Sequence, residues 1–249
     1  METQLTNTPA GENNSNPSWS VELTAEYEST DSHGSKFGVE LAGTGTVTID
    51  WGDGTVLENI QMPELKELKK KESDAGHEWY KYEGAEYTHP YDKVGSYSVK
   101  ISGQGGDMTL LRLQKKADFS SVVLNHCDRL QRFNCFDTKL TSLDLSGCTQ
   151  LKWLECSENQ LTSLDVSECT PLDLLACSYN ELTSLDISKN TQLKWLVCYG
   201  NPLSVEATNQ IYNDLPVVGQ GEGNIFVNQG TAGDYRLAEA KGWKVDFRQ

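Results

Sequence analysis

The 249-residue chain has no run of apolar residues long enough to span a bilayer, which excludes a helical membrane anchor within it. It has no clustered Lys and Arg free of acidic neighbours. Its one dense basic stretch, Lys66 to Lys71, is interleaved with Glu, and the net charge is −15. Nucleic acid is therefore a poor partner, because neutralising phosphates needs a basic patch. Histidine is scarce, and His33, His77, His89 and His126 are scattered. No G-x-S-x-G, H-E-x-x-H or P-loop text is present, which removes the enzyme classes most readable from sequence. No export signal is visible at the start. Residues 1–18 are polar and rich in Asn, Thr and Pro, and read as a disordered tether. Met1 ahead of it is read as standing where an export signal has been removed.

What is present is a period. Cys135, Cys156, Cys177 and Cys198 stand 21 residues apart, and Leu130, Leu151, Leu172 and Leu193 keep the same step. So do Leu140, Leu161, Leu182 and Leu203. A fixed period of this length with L-x-x-L-x-C-x-x-N spacing describes one short strand per coil of a solenoid. All seven cysteines obey it, with Cys127, Cys148 and Cys169 forming a second column that Asn190 continues. Equivalent residues of stacked coils lie about 4.8 Å apart and point the same way, which suits parallel thiols better than disulfides. The columns are read as buried free thiols acting as small hydrophobes. The spacing is wrong for a zinc knuckle, so no metal or other cofactor is expected.

Three regions follow. Residues 19–103 alternate as strands do: Trp19, Val21, Leu23; Phe37, Val39, Leu41; Val47, Ile49, Trp51; Tyr97, Val99, Ile101. Turn signals separate them, which predicts an antiparallel β-sandwich. The charged segment 63–73 is read as a helical or irregular insertion. Residues 104–203 form the solenoid. Its first coil is degenerate: Phe119, Val122, Leu124 and Cys127 keep the repeat, but Thr109, Arg112 and Gln114 occupy apolar positions. Leu110 and Leu113 restore a leucine pair one residue later, predicting a register shift in an atypical capping coil. Asn159, Asn180 and Asn201 recur where backbone groups of the turn need partners. Asp144, Asp165 and Asp186, each followed by Ser two residues on, read as turn formers rather than catalysts. Residues 204–249 predict a mixed α/β cap: a helix behind Ser204, a strand at Ile225–Val227, and a last strand through Trp243, Val245 and Phe247.

Two phrases, Val47-Thr-Ile-Asp-Trp-Gly-Asp-Gly-Thr55 and Tyr87-Thr-His-Pro-Tyr91 with Gly95-Ser-Tyr-Ser-Val-Lys-Ile101, resemble the PKD domain. The chain lacks the aromatic that usually separates Trp from Gly-Asp-Gly-Thr, and its insertion is longer. The resemblance implies an immunoglobulin-like sandwich in which His89 is structural. Asp53, with Asp50 the one acidic neighbour in sequence, is a calcium candidate; the simpler reading is that it caps its own turn. The coils resemble bacterial leucine-rich repeats of the 21-residue, cysteine-bearing kind, as in internalin J-like and Bacteroidetes surface proteins. That resemblance implies a non-enzymatic recognition or adhesion protein outside the cytoplasm, secreted or at the cell surface; a lipid anchor in a native lipoprotein precursor stays open.

In such coils the residues between core positions of the strand form the concave face. The candidate contact residues there are Arg132, Phe136, Trp153, Glu155, Leu174, Tyr179, Trp195 and Tyr199. Trp153 and Trp195 flank Leu174, which predicts an exposed apolar stripe with a polar border. A protein partner is the first expectation and a glycan stacking on the aromatics the second. An enzyme with two assembled carboxylates is the third and least supported.

Overall fold

The computed structural model describes residues 18–27, 37–72, 78–113 and 118–249. Residues 1–17 of the 1–18 tether, the turn at 31–34, His33, His77 and Gln114 lie outside the described residues; Ser18, the tether's last residue, is described and its N–H donates to the Gly103 carbonyl at 3.0 Å. Two large sheets organise the rest. The first is antiparallel throughout, in the order β10-β1-β8-β3-β4. It consists of β1 (Trp19–Tyr27), β3 (Thr46–Asp50), β4 (Val56–Gln61), β8 (Gly95–Gln104) and β10 (Asp118–Asn125). Alternation drives it: Trp19, Val21, Leu23, Ala25 and Tyr27 of β1 are all buried, as are Val99 and Ile101 of the neighbouring β8.

The second sheet has nine strands, in the order β16-β15-β14-β13-β12-β11-β9-β2-β7. At one end β7 (Ala85–His89) and β9 (Met108–Leu113) flank β2 (Phe37–Gly43), both antiparallel to it. From β9 onward the pairing is parallel. The coil strands follow: β11 (Arg132–Asn134), β12 (Trp153–Glu155), β13 (Leu174–Ala176) and β14 (Trp195–Val197). Then come β15 (Gly223–Asn228) and β16 (Trp243–Arg248). The two sheets face each other at the N-terminal end. Phe37 of β2 meets Phe119 of β10 at 5.3 Å and Trp51, just after β3, edge-on at 5.6 Å. Such ring pairs add to the gain from buried area. The Tyr91 hydroxyl donates to the Trp51 carbonyl at 2.7 Å inside this cluster.

Among the described residues the charged insertion is not helical, and it is irregular only at 63–65. Lys66–Glu72 is a strand, β5, paired antiparallel with Glu78–Glu83, β6. A seven-residue helix is too short to hold itself. The partner segment is rich in Trp and Tyr, which favour strands.

The first coil does shift register, but in the opposite direction to the expected one. Leu111, not Arg112 or Leu113, pairs with the core residue Phe133. Met108, Leu111 and Leu113 are buried, filling the places that Leu130, Phe133 and Cys135 hold in the next coil. A one-residue slip turns every side chain over. Here it moves Arg112 out of the core, where its guanidinium pairs with Glu40. The return half of this coil is β10, which pairs with β1 in the first sheet. The chain therefore crosses from one sheet to the other within a single coil.

After β14, helix α1 (Val205–Asp214) begins at Ser204, whose side chain accepts from the Ala207 N–H at 3.1 Å. Ile211, Tyr212 and Leu215 are buried against the last coil. A short helix α2 (Arg236–Glu239) follows β15, and Gly242, at φ +91, turns the chain into β16. The Trp243 indole donates to the Pro216 carbonyl at 2.8 Å.

Candidate functional site

Each regular coil is held by the same polar device. The Asn180 amide donates to the Cys156 and Cys177 carbonyls at 3.0 and 3.1 Å and accepts from the Leu161 N–H at 3.0 Å. Asn159 and Asn201 repeat this one coil away. Thr138 opens the column by donating to Asn159, and Asn228 closes it by donating to the Asn201 carbonyl at 2.8 Å. Apart from half-buried Asn228 these side chains are buried, where polar groups need partners. The seven cysteines are all free and buried. Burial pushes the Cys127, Cys148, Cys169 and Cys198 thiols up to about 12, and Cys135, Cys156 and Cys177 well above their ordinary range. They are protonated packing groups, not nucleophiles. On the return path Asp144, Asp165 and Asp186 each accept from the Ser N–H two residues later at 2.9 Å.

In the N-terminal part, the Asp53 carboxylate accepts from the Thr55 N–H at 2.9 Å and meets His89 Nε2 at 2.7 Å. Burial pushes its carboxyl upward, but the bonds from His89 and Thr55 outweigh this and hold it below the usual range. Asp50 accepts from the Gly52 N–H at 2.9 Å. The two carboxylates serve their own turns. His89 stacks on Trp51 at 5.3 Å.

The outward face is built by register. Arg132, Trp153, Leu174 and Trp195 pair in one file, and Asn134, Glu155, Ala176 and Val197 in the next. The fold thus brings Arg132, Trp153, Glu155, Leu174 and Trp195 together. It does not leave the apolar ones exposed, as the sequence suggested: Trp153, Leu174 and Trp195 are half-buried and Ala176 is 2% exposed. Glu155 accepts from the Ser157 N–H at 2.9 Å, just as Asn134 accepts from Phe136 at 3.0 Å. Burial raises the Glu155 carboxyl above its ordinary range. Phe136 and Tyr199 are half-buried at the strand exits.

Tyr179 is 48% exposed and stands edge-on to Tyr199 at 5.1 Å. Its backbone is left-handed, with φ 51, in a file with Asp137, Glu158 and Gly200. At Gly200 a Cβ would stand 2.5 Å from the Tyr179 ring, so the glycine lets that ring lie flat over the turn. Sequence reasoning missed Phe226 and Arg248. Phe226 pairs with Val197, packs against Trp195 at 5.3 Å, and carries the Arg248 guanidinium over its ring at 5.2 Å. The strand at Ile225–Val227 was legible, but it lies outside the 21-residue period, which hid its alignment.

No family model and no curated protein matches this sequence. Among solved structures the chain is similar to the functional domain of InlJ from Listeria monocytogenes, described as including a cysteine ladder. The identity is 25% and the TM-score 0.38, over 49% of this chain and 26% of that one. An internalin, InlF, from the same organism is 25% identical with a TM-score of 0.41, over 50% of this chain and 36% of that one. The chain thus spans well under half the length of either. Among the described residues no helix is long and apolar enough to cross a membrane.

Proposed function

We propose that the chain is a non-enzymatic recognition protein whose coils take a protein partner on their outward face. One observation carries this reading: the parallel register lines up Arg132, Trp153, Leu174 and Trp195, and Phe226 with Arg248 extends the patch at its C-terminal end. Trp, Tyr and Arg are the side chains that most often anchor interfaces. Tyr179 and Tyr199 border the patch, and Glu155 and Phe136 sit at its turn side.

In this reading residues 19–103 are a PKD-like sandwich serving as a spacer or second contact module and completed by β10 of the first coil, 104–203 the leucine-rich solenoid and 204–249 its cap. The protein works outside the cytoplasm, at the cell surface or secreted. Support comes from the PKD-like phrases and from the cysteine-bearing repeat pattern. The native gene's upstream codons test the location, since a lipoprotein or export signal is expected there.

The binding test screens a panel of surface proteins beside a glycan array, with Trp153→Ala, Trp195→Ala as the control. A protein hit should weaken by about 2 kcal/mol or more, roughly 30-fold, in the double variant. Hits on the glycan array alone would replace the protein partner by a glycan, and a double variant that binds its hit normally would remove this site.

A further inference from the structure

We infer that two copies of the chain pair edge to edge through β16, joining their coil sheets into one. The surface concerned is not the outward face, so the inference goes beyond the proposed function.

The coil sheet finishes differently at its two ends. At the N-terminal end β9 receives β2 as an antiparallel partner. At the C-terminal end β16 bonds only β15, and among the described residues its other edge has no strand. The ladder decides which groups stand on that edge. The Asn224 N–H donates to the Lys194 carbonyl at 2.9 Å, and the Phe226 carbonyl accepts from the Cys198 N–H at 3.0 Å. Even-numbered residues of β15 therefore bond β14, and odd-numbered ones bond β16. Ile225 pairs with Val245, and in a parallel ladder it bonds the residues on either side of its partner, Lys244 and Asp246. The N–H and C=O groups of Val245 and Phe247 thus point the other way, along the open edge.

An open edge invites another strand, and proteins blunt it with bulges, proline or charge. β4, an edge of the first sheet, carries such a bulge, with Asn59 at φ 53. β16 runs in unbroken register and contains no proline. Phe247 and Tyr235 are 39% and 41% exposed beside it and meet edge-on at 5.6 Å. Its charges are Lys244, Asp246 and Arg248.

Those charges select the occupant, because β16 is its own complement. A twofold axis through Val245 sets Lys244 opposite Asp246 of the second copy, and Asp246 opposite its Lys244. These are non-hydrogen-bonded pairs, the closer of the two antiparallel spacings, at about 4.5 Å. Val245 meets its own copy and exchanges both edge bonds with it. Phe247 comes opposite Trp243, and Arg248 comes opposite Gly242, free to keep its pair with Asp246 at 3.2 Å. The neighbouring registers that keep the same face inward set like charges together: Asp246 on Asp246 with Lys244 on Arg248, or Lys244 on Lys244. A one-residue slip would turn the core side chains outward. The axis stands perpendicular to the sheet, so the outward faces of both copies look to one side. Two binding patches would then act together and gain avidity. Only this last consequence rests on the proposed function.

The interface is small, so the pairing should be weak and concentration-dependent. Sedimentation velocity of the full chain, from micromolar to millimolar concentration, should show monomer and dimer in equilibrium. Lys244→Glu and Asp246→Lys each create two like-charge pairs in the dimer and should weaken it about 10-fold or more. An equal mixture of the two variants should dimerise again, because each then meets its complement. Val245→Pro removes the central N–H, which no bond within the chain uses, and should abolish the dimer with the seven thiols still buried and unreactive. A chain that stays monomeric throughout overturns the inference and leaves the edge to a different chain. A dimer indifferent to both charge changes overturns it, as does a mixture no stronger than its components. Should Val245→Pro expose the thiols, the mixing experiment decides alone. No partner enters these readouts, so a monomeric chain leaves the proposed binding face standing, and a failed partner screen leaves the pairing standing.

Discussion

The coils and the N-terminal sheets build their buried cores by opposite routes. In the coils one solution is repeated: a leucine, a thiol and an asparagine at fixed positions, each satisfied by its own copy one turn away. In the N-terminal part every contact is particular: the Tyr91 hydroxyl on one carbonyl, His89 on one carboxylate, Phe37 among three rings. Repetition makes each polar group answer for two coils. Particular contacts answer for one place only, so damage should stay local.

The sharpest break is Asn180→Ala. It leaves the buried Leu161 N–H unpaired, at about 1–3 kcal/mol, and takes one of two donors from each of the Cys156 and Cys177 carbonyls, which keep Asn159 and Asn201, at about 1 kcal/mol for each lost bond. Denaturant melts should show a loss of about 3 kcal/mol or more, and native-state hydrogen exchange should rise in coils on both sides. Cys177→Ser comes next, at about 2 kcal/mol, because a hydroxyl in that apolar file lacks the partner a thiol can forgo. Cys177→Ala should cost less than Cys177→Ser, and the reverse order in melts would mean the thiol column is more than filler.

Tyr91→Phe removes one hydrogen bond and leaves the Trp51 carbonyl without its hydroxyl partner. It should cost about 1 kcal/mol, with faster exchange confined to the turn at Gly52–Thr55. The smallest effect concerns acid. Asp53 has its carboxyl held below the ordinary value, so its contribution is present above about pH 4 and fades as pH falls through the lowered value. Asp53→Asn should flatten the acid limb of a stability–pH curve, and so should His89→Gln. An unchanged limb in both would mean the pair is incidental.

The coils were legible because their period fixes both faces at once. Leucine, cysteine and asparagine positions all landed inside, and the Asp-Ser pairs all landed in turns. What repetition could not supply was hidden. The first coil slips toward Leu111 because Arg112 had a partner, Glu40, seventy-two residues away in sequence. The 63–73 segment was misread because its Lys and Glu content suits a helix surface, while its strand partner begins only at Glu78. The aromatic file was found, but its burial was not, since what lies over a face is a matter of tertiary contact. Phe226 joined the neighbouring file, beside Val197, from outside the period.

Strand β9 has a wider implication. It bonds antiparallel to β2 on one edge and parallel to β11 on the other, so the two halves of the molecule share a seam rather than a linker. Anything tethered at one end and gripped on the coils at the other would load that seam broadside. The protein should transmit the pull as a stiff strut, with no swivel between anchor and grip.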